Sequence, residues 1–177
     1  MAEETAAPPD AINLLERDHR LVDRMFAEYE DTEGTDAGRR TMLVGRMIEE
    51  LSAHADIEER ILYPLMRDVL PDGDEQVSHA IEEHDEAKQT MARLEDMTPS
   101  DDEFDGAVRT LIEAVRHHVE EEESELFTRL RESVDAQKLA ELAAELEAAR
   151  ATAPLSPTEE GVDGTTPLQQ AQERQSE

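Results

Sequence analysis

His54-Ala55-Asp56-Ile57-Glu58-Glu59-Arg60-Ile61-Leu62-Tyr63 returns 64 residues later as His118-Val119-Glu120-Glu121-Glu122-Glu123-Ser124-Glu125-Leu126-Phe127. The histidine, the glutamate four positions on, the glutamate after it, the leucine and the aromatic all recur at that same offset. A second pair, Asp18-His19 and Glu83-His84, recurs with an offset of 65. Four histidines and two glutamates thus fall in the order H, HxxxE, H, HxxxE, one group per expected helix. Imidazoles and carboxylates that repeat with the period of a helical hairpin point to a metal centre between helices.

Apolar periodicity places the helices around these motifs. Ile12, Leu15, His19, Val22, Phe26 and Tyr29 are spaced 3, 4, 3, 4, 3, which predicts a helix from about Asp10 to Glu30. Gly34 and Gly38 punctuate the loop that follows. Met47, Leu51, His54, Glu58, Leu62 and Leu65 mark a second helix from about Arg39 to Leu70. Pro64 lies inside it, removes a hydrogen bond to Arg60, and is expected to kink the helix there. Val77, Ile81, His84, Ala87, Met91 and Leu94 mark a third, from about Glu75 to Met97. Ser100 and Glu103 are spaced as a capping box for a fourth, which runs to about Arg131 with Leu111, Val115, His118, Glu122, Leu126 and Leu130 on one stripe.

The expected fold is therefore all-α, an up-down-up-down four-helix bundle made of two similar hairpins. A short amphipathic helix at 133–150 follows, carrying Leu139, Leu142 and Leu146. The domain reading is a flexible lead-in at 1–10, the bundle at 11–132, the extra helix at 133–150, and an acidic tail at 151–177. Pro154, Pro157 and Pro167 and few large apolar residues make the tail a candidate for disorder.

Composition narrows the chemistry. The chain has 177 residues, enough for one ordinary domain with a core. It has no cysteine, so disulfides, thiolate ligands and cysteine nucleophiles are excluded, and metal ligands must be nitrogen and oxygen donors. The net charge of −29 repels nucleic acid and anionic membrane surfaces. Lys88 and Lys138 are the only lysines; an acid-rich, lysine-poor surface fits a high-salt cytosol and also plain compositional bias. No apolar stretch approaches the ~20 residues of a membrane helix, and MAEETAAPPD lacks the basic and apolar regions of a signal peptide. The expected location is cytoplasmic, with no nucleic-acid or membrane partner; the oligomeric state stays open.

His54 and Glu58 stand in the stripe that faces the core, as do His118 and Glu122. At i, i+4 their side chains differ by about 40° around the axis and about 6 Å along it, so both reach one small volume. A lone carboxylate there is desolvated at a cost of several kcal/mol or is forced neutral. Two facing each other are worse, and a pair of divalent cations removes the penalty. Each HxxxE taken alone is more often a core histidine followed by a solvated glutamate. Four helices each placing a histidine on the buried stripe, two with a glutamate one turn on, outweigh that reading. The candidate metal ligands are His19, His54, Glu58, His84, His118 and Glu122. His117 points about 100° away from His118, and His79 lies about 140° round from His84, so both are expected at the surface. Glu59 and Glu123 are expected to face solvent or to hydrogen-bond around the site, and Tyr63 and Phe127 to lie in the core, with Tyr63 as a polar group near the site the lesser alternative.

These motifs, in this order and spacing, resemble the hemerythrin-like HHE cation-binding family, over about residues 11–132. The resemblance implies a four-helix bundle around a non-haem di-iron centre. It implies His19, His54, His84 and His118 as terminal ligands and Glu58 and Glu122 as bridges. Oxygen-carrying hemerythrins use a fifth histidine four positions before the third-helix one and an aspartate on the fourth helix. Here those places hold Ala80 and Glu122, so the chain resembles the four-histidine, two-glutamate branch. With an oxo or hydroxo bridge counted, each iron keeps about one open position of six. Zn or Mn are possible substitutes for iron, since they accept the same donors.

Three functions compete at this point. The first is a di-iron protein that binds or reacts with O₂, NO or hydrogen peroxide, in oxidative or nitrosative stress defence or iron homeostasis. Turnover would make it a di-iron oxidoreductase, and no separate catalytic residue or nucleophile triad is visible. The second is a binding-only metal or redox sensor or iron-handling module. The third is a metal-free acidic bundle. A ferritin-like carboxylate site is weaker, because its ExxH signature is matched only by Glu16 before His19.

Overall fold

Asp10 opens the first helix by accepting a hydrogen bond from the Asn13 amide at 2.8 Å, which satisfies one of the donors a helix start leaves bare. Helix α1 then runs Ala11–Glu30. Helix α2 runs Ala37–Ile57, passes through a single π-turn at Glu58–Leu62, and continues as Tyr63–Val69. Helix α3 spans Gly73–Glu95. Helix α4 runs Phe104–Glu121, passes through a π-turn at Glu122–Leu126, and continues as Phe127–Ser133. Helix α5, Ala136–Arg150, is capped by Asp135. This computed structural model describes residues 10–32 and 36–158. The readings for residues 1–9 and for the tail beyond 158 lie outside the described residues, while 151–158 follow α5 in turns and bends.

Short connections make chain neighbours antiparallel. Tyr29 Oη donates to Asp105 Oδ1 at 2.8 Å, joining the end of α1 to the start of α4, and Arg131 reaches Asp10 at 2.6 Å, joining their opposite ends. The α2–α3 corner is tight enough to require glycine: a Cβ on Gly73 would collide with the backbone of Met66 and Arg67.

Two apolar clusters fill the bundle. One gathers Val22, Phe26, Leu43, Met47, Met91, Phe104 and Leu111. The other gathers Ile12, Leu15, Leu62, Tyr63, Met66, Val77 and Leu130. Between them lies a layer of buried polar side chains: Asp18, His19, His54, Glu58, His84, His118 and Glu122. Leu139, Leu142 and Leu146 of α5 complete the second cluster from outside, against Leu14 and Ile57.

Two local expectations need correction. The irregularity in α2 falls about Arg60, where the kink was expected, but it is a π-turn at Glu58–Leu62 and not a simple proline kink. The Tyr63 amide bonds Glu58 O rather than the oxygen four residues back, and the Phe127 amide bonds Glu122 O in the same way. Thr128 stands where the first repeat has Pro64, so proline is not what makes the turn. The extra residue advances the stripe by one position: Met66 is fully buried where Leu65 was expected. The Ser100–Glu103 capping box does not form. Glu103 pairs instead with Arg93, and Asp101 accepts from the Thr98 amide at 2.6 Å.

Candidate metal centre

The helices bring all six of the expected donors into one buried layer. His19 and His54 are each about 6% exposed or less, as are His84 and His118, and Glu58 and Glu122 are at 0% and 1%. The imidazoles fall into two pairs. His19 Nε2 lies 3.0 Å from His54 Nε2, and His84 Nε2 lies 3.0 Å from His118 Nε2. Each pair thus joins neighbouring helices of one hairpin, which settles how the histidines group.

The carboxylates span the two pairs. Glu58 Oε1 is 3.2 Å from His54 Nε2, and its Oε2 is 3.4 Å from His84 Nε2. Glu122 Oε2 is 3.5 Å from His19 Nε2, and its Oε1 is 3.5 Å from His118 Nε2. His19, His54, Glu58 and Glu122 form one cluster of mutually close donors and Glu58, His84 and His118 a second, with Glu122 Oε1 beside His118. Adjacent ligands on an ion with bonds of about 2.1 Å are roughly 3 Å apart, the spacing found here.

The outward nitrogens show how the rings are aimed. His84 Nδ1 lies 2.8 Å from Glu59 Oε1, His118 Nδ1 2.8 Å from Glu83 Oε2, and His19 Nδ1 2.8 Å from Glu123 Oε1. A carboxylate only accepts, so Nδ1 carries the proton and a neutral ring turns its Nε2 lone pair inward. Two lone pairs facing at 3.0 Å repel unless a cation or a proton sits between them. Glu58 Oε1 and Oε2, Glu122 Oε2 and His54 Nδ1 are buried without a hydrogen-bond partner. Orphaned oxygens beside converging lone pairs fit a pair of divalent cations.

The pairing repeats between halves. The residue before each α1 or α3 histidine turns to the other histidine of its hairpin: Glu83 to His118, and Asp18 toward His54. The residue after each bridging-position glutamate reaches across to the other hairpin: Glu59 to His84, and Glu123 to His19. Asp18 departs from the scheme, standing 3.9 Å from His54 Nδ1 because Arg150 at the end of α5 holds it, together with Glu50. Glu59 is held by Lys88 at 2.7 Å.

Without cations, protons carry the charge balance. Burial pushes Glu122 up, with the Glu58 charge adding to it, to about 7. Burial also pushes on Glu58, but His54 and His84 overcome it and hold that carboxyl well below the usual range. Burial works against charged imidazoles, and it takes His19 down to about 3, helped by His54. For His54 the same burial is outweighed by Glu58 and Asp18, which raise it to about 10; for His84 it is outweighed by Glu58 and Glu59, which raise it to about 9.

Tyr63 was expected in the core and is there, but with a polar task. Its hydroxyl donates to Glu122 Oε1 at 3.0 Å and lies 3.2 Å from His84 Nε2. The π-turn places it directly over Glu58 on the helix. The tyrosine at the repeat's aromatic position, where the second copy has Phe127, was the sequence signal. Phe127 stacks on His19 at 5.8 Å between ring centroids. Because phenylalanine already fits the equivalent place, Tyr63→Phe isolates the hydroxyl. Urea unfolding of the metal-free variant is expected to show a loss of about 1–3 kcal/mol, the cost of leaving a buried acceptor bare; unchanged stability would deny the bond.

A cavity of about 30 Å³ adjoins the four imidazoles. Its other walls are mainly aliphatic, among them Val22, Leu51, Ala87, Met91, Val115 and Val119. Among the described residues, no helix is long and apolar enough to cross a membrane.

Comparison with known proteins agrees with this architecture. The family model described as Hemerythrin HHE cation binding domain matches residues 10–130. A DNA nickase from Nostoc sp. (strain PCC 7120 / SAG 25.82 / UTEX 2576) is 31% identical over 138 residues, which is 78% of this chain. The chain spans only 38% of that relative's length. The crystal structure of a hemerythrin HHE cation binding domain-containing protein from Mycobacterium kansasii matches with a TM-score of 0.67 at 18% identity. The match covers 81% of this chain and 86% of that one, and is a likeness of fold.

Proposed function

The chain belongs to the hemerythrin HHE cation-binding family, and from that premise we propose that it holds two non-haem iron ions and uses them to bind or react with O₂, NO or hydrogen peroxide. His19 and His54 would hold one ion and His84 and His118 the other, with Glu58 and Glu122 each giving one oxygen to either side. Paired iron supplies one- and two-electron redox chemistry when bound.

The observation that carries the reading is the 30 Å³ cavity beside the imidazoles. A site needs roughly 10–15 Å³ of such space to hold one water, so this one admits a diatomic or a peroxide and little more. Its aliphatic walls favour weakly polar gases and shed bulk water. The chain's own residues then have defined tasks. Glu59, Glu83 and Glu123 keep their histidines aimed by accepting from Nδ1. Tyr63 Oη, 3.0 Å from Glu122 Oε1, is placed to hold or pass a proton at that oxygen. Tyr63 itself stays protonated, since burial and the Glu122 charge push its pKa upward.

The DNA substrate named for the Nostoc relative is not carried over. A chain of net charge −29 repels a polyanion, and most of that relative's length lies outside the match. Stopped-flow absorption of ferrous-loaded protein mixed separately with O₂, NO and peroxide tests the proposal. A rapid spectral change with at least one of them is expected. A loaded centre blind to all three overturns reactivity.

A further inference from the structure

The two histidines that the inner layer does not use converge on the outer rim. His79 on α3 places Nε2 3.2 Å from Glu121 Oε2 and 3.7 Å from Glu83 Oε1. His117 on α4 places Nε2 3.4 Å from Glu121 Oε1 and 3.7 Å from the same Glu83 Oε1. His79, Glu83 and Glu121 present ligand atoms that all lie within 4.8 Å of one another. We propose that His79, Glu83 and Glu121 form a second, outer cation site, with His117 beside it against the same two carboxylates, which takes one first-row divalent ion such as Zn²⁺.

Comparison of the two hairpins supports this. The 64- and 65-residue offsets map His79, Glu83, His117 and Glu121 onto Leu14, Asp18, Ala53 and Ile57. In the first hairpin that face is dry: Leu14, Ala53 and Ile57 are buried, and α5 covers the groove with Leu139, Leu142 and Leu146. Asp18 there receives a cation, the Arg150 guanidinium. The second hairpin has no α5 over it. Its groove carries two imidazoles and two carboxylates instead of apolar residues, and Glu83 meets imidazoles where Asp18 meets a guanidinium. A set of imidazole and carboxylate donors suits a borderline divalent ion.

The place has room and a connection inward. A cleft of about 140 Å³ is lined by His79, Glu83 and Glu121 and also by His118 and Glu122. Glu83 stands between the two sites, with Oε2 accepting from His118 Nδ1 at 2.8 Å and Oε1 facing the outer cluster. An outer ion would thus sit on the far oxygen of the carboxylate that orients an inner histidine.

The side chains of His79 and His117 are 56% and 63% exposed, so replacing both leaves the core alone. With six histidines in the chain, His79→Ala/His117→Ala removes every imidazole outside the inner layer. The test titrates Zn²⁺ calorimetrically into protein whose inner centre has first been filled with iron, with visible absorption reporting the inner centre throughout. The full chain is expected to take one more Zn²⁺, and the double variant to bind it more than about tenfold more weakly for want of both nitrogen donors. Equal Zn²⁺ uptake by both proteins, or no further uptake by either, overturns the proposal. Neither result depends on whether the inner ions react with oxidants.

Discussion

Glu58→Ala protein, loaded with ferrous iron alongside the unaltered chain, is expected to retain less than about one ion where the parent retains about two. The two oxygens of Glu58 face different histidine pairs, at 3.2 Å from His54 and 3.4 Å from His84, so one substitution weakens both clusters. Removing a group that only orients a ligand typically costs 10–100-fold in metal affinity, and loss of a shared donor costs more than about 100-fold. Glu120→Ala, an exposed glutamate in the same acidic run, is the control and should keep its full metal content. Metal analysis after gel filtration decides the matter. An unchanged metal-to-protein ratio in Glu58→Ala would remove Glu58 as a ligand and with it the dinuclear arrangement.

The second large effect is a divergence of stability between loaded and stripped protein as pH rises. His54 and His84 are raised to about 10 and about 9 in the folded, metal-free chain, against an ordinary 6.5. Above pH 7 the unfolded chain has released those protons and the folded chain keeps them. Stability present below 6.5 is therefore lost as pH climbs through about 9 and about 10. The other large shifts act lower: Glu122, raised to about 7, loses its contribution between 4.5 and 7, and His19, lowered to about 3, acts below 6.5. In loaded protein the cations have displaced the imidazole protons, so its melting temperature should change little over the alkaline range. By linkage, apparent metal affinity should rise about tenfold per pH unit for each proton displaced. Calorimetric melting of both forms at pH 7, 8 and 9 provides the check. A stripped protein whose melting point held level or rose across that range would contradict the charge distribution described here.

Much of this was legible in the residues because the buried polar layer and the helix stripe obey one rule. A histidine or glutamate in a position reserved for apolar side chains stands out against the 3.6-residue period, and it did so on four helices. The bundle followed from the same stripes and short loops. Other features lacked such a signal. A π-turn is a change in hydrogen-bond partner with no residue type of its own; Pro64 drew attention to the right neighbourhood for the wrong reason, as Thr128 shows. Leu65 and Met66 are both apolar, so only the shifted phase decides which one is buried. Glu59 and Glu123 could be narrowed no further than solvent or a hydrogen bond, because their partners come from other helices. The grouping of the histidines, and the reach of Arg150 to Asp18 across 132 positions, are likewise products of three-dimensional packing.

The layer of imidazoles and carboxylates interrupts what would otherwise be one continuous hydrophobic interior. The chain therefore resembles two small proteins set end to end, sharing their helices and joined across a polar seam. The two ions proposed for the seam would act as rivets, so that loss of either would loosen the junction before it loosened the ends.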